Sequence, residues 1–307
     1  MGTPHFAVGV LDALVTNGYN VVGVVTASDK PAGRGRKMNE SAVKQYALKL
    51  GIPILQPPNL KNERFIKALE ALNADVQIVV AFRMLPKVVW DMPSHGTFNL
   101  HASLLPDYRG AAPINWAIIN GETETGVTTF FIDDKIDTGA IIANRSVQIA
   151  TDESAGELHD KLMILGSELV LDTVDLIESE NASPQVQEER ANLKPAPKLN
   201  RENCKINWHD PLERTYNQIR GLSPYPAAWS TLMNGDESFD VKIYKAAKTE
   251  LDHTYEIGEL IVSKKELRVA VKNGLINLLE IQIPGKRKMD IISFLNGYKL
   301  EPEAKML

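Results

Sequence analysis

The sequence predicts an α/β fold: a doubly wound, mostly parallel Rossmann-like sheet followed by a small C-terminal β-barrel of OB-like character. Three observations predict it. Up to about residue 180, short β-branched runs alternate with segments of helical period. A polar, proline-bearing stretch then interrupts the pattern. Beyond it, strands follow one another at close spacing, as in a small barrel.

The opening "MGTPHFAV" reads as a turn feeding a helix, with Pro4 early and Phe6, Val10, Leu11 and Leu14 on one face. A doubly wound sheet begins with a strand before that turn, and only Met1 precedes it here. The expectation is therefore a sheet whose first, central strand is absent from this chain. "VVGVVT" (21–26), "VQIVVA" (76–81) and "TFNL" (97–100) are continuous apolar runs of the kind buried on both sheet faces. Between them, Val43, Tyr46, Ala47 and Leu50 recur at helical spacing, and Gly51 stands at the C-cap. Phe65, Leu69 and Leu72 repeat the period. "VTTFFI" (127–132) and "AIIANRSVQIA" (140–150) add strands. Ser154 and Glu157 form a capping box ahead of a helix carrying Leu158, Leu162, Leu165 and Leu169. Strand–helix alternation of this kind implies right-handed crossovers. The expected division is an N-terminal domain over 1–179, a linker over 180–202 and a second domain over 203–307. The latter carries one helix near "LERTYNQIRGL", strands from "AWSTLM" onward, and a helix at "DIISFLN".

A length of 307 residues suits two domains, and 44 % hydrophobic with 24 % charged residues is ordinary for a water-soluble chain. No run approaches the roughly 20 apolar residues that cross a bilayer. One cysteine, Cys204, rules out an internal disulfide and fits the reducing cytoplasm. Net charge is −6 over residues 1–199 and +1 over 200–307, so any polyanion must be met by local patches.

"TFNLHASLLPDYRGAAPINW" (97–116) is the candidate site. A buried strand ends on Asn99 and His101, and ligands of open α/β sheets bind outside such carboxyl ends. A carboxamide and an imidazole there are donors for a developing oxyanion, and the imidazole can also exchange a proton. Asp137, in the Asp-Thr-Gly turn of "IDDKIDTGAI", can return a carboxylate to the same rim. "SLLP" (Ser103, Leu104, Leu105, Pro106) offers backbone groups and two leucines to a flat amphipathic ligand. No G-x-G-x-x-G follows a strand and no Walker lysine motif is present, which disfavours dinucleotides and nucleoside triphosphates. His5, His95, His159, His209 and His253 show neither i, i+4 pairing nor cysteine partners, so no metal site is expected. On residues alone, an oxidoreductase built on the same sheet and a non-catalytic RNA-binding protein stand as alternatives.

"FNLHASLLPDYRGAAPINW" followed by "GETETGVTTFFIDDKIDTGAII" resembles the formyltetrahydrofolate-dependent formyltransferases. "GTPHFAV", "DKPAGRGRK", "KINW" and "GLSPYPAAW" extend the similarity over nearly the whole chain, toward those members whose acceptor is methionyl initiator tRNA. A formyltransferase acting on a small molecule is the alternative within the same chemistry; members of that kind share the Asn-His-Asp core without the P-A-G-R-G loop joined to such a second domain. His5 stands where the family signature has aspartate, and Arg83, in a shortened "AFRMLP", where glycine is frequent.

The resemblance implies a formyltransferase fold and transfer of the formyl group of 10-formyltetrahydrofolate, a donor co-substrate, to the α-amino group of methionine on initiator methionyl-tRNA. No metal, no membrane, a monomer and a cytoplasmic location go with it. Asn99 and His101 are implied to polarise the formyl carbonyl, and Asp137 to orient His101 and help remove the amine proton. Ser103 to Pro106 are implied to contact the folate, with the pterin near 79–86 and the Asp133–Asp137 loop. Arg34, Arg36 and Lys37 are implied to approach the acceptor end of the tRNA. "KIYKAAK" (242–248), "KKELR" (264–268) and "GKRK" (285–288) add basic clusters suited to sequence-independent backbone contacts.

Overall fold

The computed structural model describes residues 1–32 and 37–307. Arg34 and Arg36 lie outside the described residues, and of Lys37 only the backbone is described. The chain forms two compact units that are not divided at a single point. Met1–Gly110, Thr125–Val147 and His159–Pro195 make the first, while Ala111–Glu124, Gln148–Leu158 and Ala196–Leu307 make the second.

In the first unit, α1 (His5–Thr16) buries Phe6, Ala7, Val10, Leu11 and Leu14, the face its spacing predicts. Next come β1 (Val24–Val25) and the antiparallel pair of β2 (Lys30–Ala32) with β3 (Lys37–Asn39). Helix α2 (Ala42–Leu50) starts on a Ser41 cap and ends at Gly51, whose φ of 68° is the left-handed conformation that closes a helix. β4 (Ile54–Leu55), α3 (Glu63–Glu70), β5 (Gln77–Val80), the short α4 (Lys87–Trp90), β6 (Thr97–His101) and β7 (Arg109–Gly110) follow. After α5 (Pro113–Ile119), which belongs to the second unit, come β8 (Glu124–Phe131) and β9 (Ile141–Gln148). Helix α6 (Ala155–Glu178) opens on the expected capping box: Ser154 N donates to Glu157 at 2.8 Å and Glu157 N to the Ser154 hydroxyl at 3.3 Å.

Four strands run in the order β5-β6-β8-β9, with β5 and β6 parallel and β6 and β8 antiparallel. β1 and β4 pair in parallel as a separate two-stranded sheet. Of the six residues expected to form a strand at 21–26, only Val24 and Val25 do so. The reason is the neighbour. Between β1 and β5 lies a single rung: Gly2 N donates to Val25 O at 3.0 Å, Val80 N to Met1 O at 2.9 Å, and the Met1 amino group to Ile78 O at 2.5 Å. Below that rung is a cavity of about 760 Å³ lined by Val10, Leu14, Val22, Leu72, Ile78 and Val174 among others. Val24 and Val25 pair with Ile54 and Leu55, and residues 21–23 join no ladder among the described residues.

The stretch expected to be a linker runs against the first unit in part: Gln185 and Ile141 exchange backbone hydrogen bonds of 2.8 Å in each direction. β10 (Pro195–Ala196) follows.

In the second unit, α7 (Leu212–Gly221) precedes β11 (Ala228–Asn234), β12 (Glu237–Glu250), β13 (Leu260–Val262), β14 (Leu267–Val271), β15 (Gly274–Gln282) and β16 (Met289–Asp290). α8 (Ile291–Gly297) and β17 (Lys305–Met306) complete it. The strands form one antiparallel, nearly closed sheet in the order β13-β14-β15-β12-β11-β17. β11 alternates buried and half-buried residues along its length, the period of a strand with one face on a core. Ile243, Leu232, Leu267, Ile276 and Phe294 fill that core, and Tyr216 and Ile219 of α7 cap it. Register shifts at Ile243–Ala246 in the β12–β15 pair bend the long strand.

Candidate active site

Period two puts Asn99 and His101 on one face of β6, while the intervening Phe98 and Leu100 are buried on the other. Asn99 lies between Val79 of β5 and Phe130 of β8. Its side chain is half-buried, and no described residue hydrogen-bonds its carboxamide. A polar group held beside a sheet end with its donors unspent is suited to a ligand oxygen.

His101 is 7 % exposed, and its Nε2 lies 2.8 Å from the Tyr108 carbonyl oxygen. A carbonyl only accepts, so Nε2 carries the hydrogen and Nδ1 is the position left to exchange a proton. That Nδ1 stands 3.9 Å from Asp137 Oδ2. The separation exceeds a hydrogen bond but keeps a carboxylate close to any imidazolium that forms. The main chain at Tyr108 holds the ring on its Nε2 side, and Asp137 faces it on the Nδ1 side.

Asp137 reaches this place through an unusual backbone. Its φ is +55°, left-handed for a residue with a side chain. Gly110 N donates to its Oδ2 at 2.9 Å. The tripeptide Tyr108-Arg109-Gly110 therefore holds both partners, the imidazole by a carbonyl and the carboxylate by an amide. Tyr108 is also left-handed, at φ +61°, and its N–H donates to Lys194 O at 2.6 Å.

The flanking residues divide into two groups. Ser103 is fully buried and donates to Asp107 O at 2.7 Å, and Leu105 is buried with its N–H 3.2 Å from the Thr128 hydroxyl. Those two build the turn. Leu104 and Pro106 are half-exposed and remain able to touch a ligand. Asp133 is exposed, and its carboxylate accepts from Thr138 Oγ1 at 2.8 Å and Lys135 N at 2.9 Å, closing its own loop. Met84 and Ile136 expose large apolar side chains on the two segments expected to flank the pterin. Arg83 donates to the carbonyls of Pro57 and Pro58, tying the 79–86 segment down.

Sequence reasoning missed Gln187. It lies in the expected linker, yet it is 7 % exposed, and its Nε2 donates to Asp137 O at 3.0 Å and Gly139 O at 2.8 Å. The signal available was a glutamine two residues from Gln185 in an extended run, too slight to separate from linker composition.

The basic clusters of the second unit are partly neutralised. Lys248 pairs with Glu213 at 2.5 Å, Lys288 with Glu280 at 2.7 Å, and Arg268 with Glu266. Arg201 stacks over Trp229 with its guanidinium carbon 4.1 Å from the ring centroid.

Comparison with known proteins identifies the family. The family described as Formyl transferase matches residues 1–174, and its C-terminal domain matches residues 198–299. A methionyl-tRNA formyltransferase of Flavobacterium johnsoniae is 60 % identical over 306 residues, covering 100 % of this chain and 97 % of the relative. One from Bacteroides thetaiotaomicron is 53 % identical over 311 residues, with coverage of 100 % and 97 %. Among solved structures, an N-formyltransferase from Helicobacter canadensis in complex with folinic acid and dTDP-3-aminofucose is similar in fold. Its TM-score is 0.65 at 21 % identity, covering 90 % of this chain and 96 % of that one.

Proposed function

The chain belongs to the formyl transferase family, and on that premise we propose that Asn99, His101 and Asp137 carry out transfer of a formyl group from a folate to an amine. The donor is 10-formyltetrahydrofolate, and the acceptor is the α-amino group of methionine on initiator tRNA. The observation that carries this reading is one rim bearing an unspent carboxamide, an imidazole with one free nitrogen and a carboxylate 3.9 Å from it. The acceptor follows from full-length relatives that are methionyl-tRNA formyltransferases.

The folate supplies an activated N-formyl carbon. Asn99 donates to the formyl oxygen as charge gathers on it. The amine of the substrate is the nucleophile, so the chain needs none of its own. His101 Nδ1 takes the proton that the amine gives up as the new C–N bond forms. Asp137 stabilises the resulting imidazolium. The same proton passes to the folate nitrogen as its bond to the formyl carbon breaks, which leaves all three side chains as they began. Leu104 and Pro106 flank the folate, and Met84 and Ile136 offer apolar surface to the pterin. The enzyme works in the cytoplasm as a monomer without a metal.

Radiolabelled 10-formyltetrahydrofolate, incubated with enzyme and charged initiator tRNA, tests this on a filter. Label retained with initiator but not elongator methionyl-tRNA is expected. No retention, or equal retention with free methionine, overturns the reading.

The segment 34–37, with Arg34, Arg36 and Lys37, contributes to tRNA use by electrostatic contact with the acceptor end. Arg34→Ala is expected to raise KM for the tRNA about tenfold and flatten its salt dependence, with KM for the folate unchanged. Equal KM values for wild type and variant at 50 and 200 mM salt would remove the segment from tRNA binding.

A further inference from the structure

We propose that Gln187 and Arg109 are positioning residues that together hold Asp137 at His101. The proposal rests on the reading of Asn99, His101 and Asp137 as the reacting set. Asp137 occupies left-handed backbone at φ +55°, a conformation uncommon for a residue with a side chain, and its turn is held by contacts from outside it. Its carbonyl is fixed by one N–H of Gln187 at 3.0 Å, and the other N–H of that carboxamide holds Gly139 O at 2.8 Å. One side chain thus spans the Asp-Thr-Gly turn from beneath. Gln187 itself cannot swing, because its Oε1 accepts from Arg109 Nε at 3.1 Å and Nη2 at 2.7 Å. A two-pronged guanidinium contact fixes direction as well as distance.

The contacts close a ring. Arg109 is followed by Gly110, whose N–H holds Asp137 Oδ2 at 2.9 Å, and preceded by Tyr108, whose carbonyl holds His101. The backbone bridge between Gln185 and Ile141 brings the strap into place two residues before Gln187. All four hydrogen-bonding positions of the glutamine are spent within the chain, so it has none for substrate. Its effect reaches the reaction only through Asp137. A displacement of that carboxylate of about 1 Å is enough to lose on the order of 10²-fold in rate.

Three variants test the brace: Gln187→Met, which keeps the volume; Gln187→Glu, which keeps the acceptor for Arg109 but not the two N–H donors; and Arg109→Met. Rates are taken per donor-binding site, titrated with tetrahydrofolate. Both glutamine variants are expected to lose about 10- to 100-fold in kcat, with KM for folate and tRNA within about threefold of wild type. Gln187→Met combined with Arg109→Met should lose no more than the worse single variant, since both cut one ring. The brace is overturned if Gln187→Glu keeps wild-type kcat, if the double loss equals the product of the single losses, or if the variants fail to bind tetrahydrofolate. Wild-type enzyme run alongside separates the two ideas: an inactive wild type sinks the function, whereas an active wild type with an active Gln187→Met sinks only the brace.

Discussion

Replacing Asn99 with alanine is expected to lower kcat for formyl transfer by about 10²–10³-fold, with little change in KM for either substrate. The magnitude follows from where the side chain stands. It sits on the β6 face that carries His101, half-buried, with no described residue competing for its N–H groups. A donor held in place on a strand and spent on no other partner stabilises negative charge with little reorganisation. The same donor does little for a neutral carbonyl, so binding of the ground state barely registers its loss. Single-turnover rates at saturating folate and tRNA measure this directly. A variant that keeps its single-turnover rate but raises KM would mean Asn99 binds substrate and does not act on the reaction.

The second large effect is on stability. Gly139→Ala places a Cβ only 1.7 Å from the Phe131 carbonyl oxygen and 2.9 Å from its carbonyl carbon. Main chain cannot yield as the end of a flexible side chain would. The turn between β8 and β9 must open, and the Gly139 carbonyl that Gln187 holds must move with it. A cost of about 3 kcal/mol or more is expected, a fall in Tm of roughly 6–10 °C, with transfer activity of the remaining folded protein reduced as Asp137 shifts. Thermal unfolding within about 2 °C of wild type would show that the turn has slack the geometry denies.

This glycine also shows how sequence and structure divide the information. The Asp-Thr-Gly turn was legible as a polar break between apolar strands that could return a carboxylate to the rim. The two causes of its exact shape were not. One is the Phe131 carbonyl against Gly139, a contact between residues that no local pattern links. The other is the left-handed φ of Asp137, which aspartate tolerates but does not specify, and which Gln187 braces from a stretch whose composition reads as linker.

Helices fared better because their signals are local. Gly51 ends α2, the Ser154–Glu157 capping box opens α6, and the α1 face of Phe6, Val10, Leu11 and Leu14 is buried as its spacing requires. Strand length depends on partners instead. "VVGVVT" has the composition for six strand residues, yet pairs only at Val24 and Val25, where Ile54 and Leu55 flank one side and Gly2 the other. The barrel strands of the second unit were readable because hairpin neighbours lie next to each other in sequence, as β14 and β15 do.

The role of Asp137 shows the same division within the site. That Asn99, His101 and Asp137 share a rim follows from strand ends and one turn. That Tyr108 holds the imidazole, leaving Nδ1 toward the carboxylate at 3.9 Å, depends on a left-handed residue seven positions beyond the histidine.

A crystal structure with a non-reactive formyl-folate analogue, one whose formyl carbon bears no leaving nitrogen, reports most directly on the central claim. The formyl oxygen is expected within hydrogen-bond distance of the Asn99 carboxamide nitrogen, with the His101 imidazole facing the formyl carbon and Leu104 and Pro106 against the folate. A formyl group bound elsewhere, or turned so that its oxygen points away from residue 99, would contradict the account.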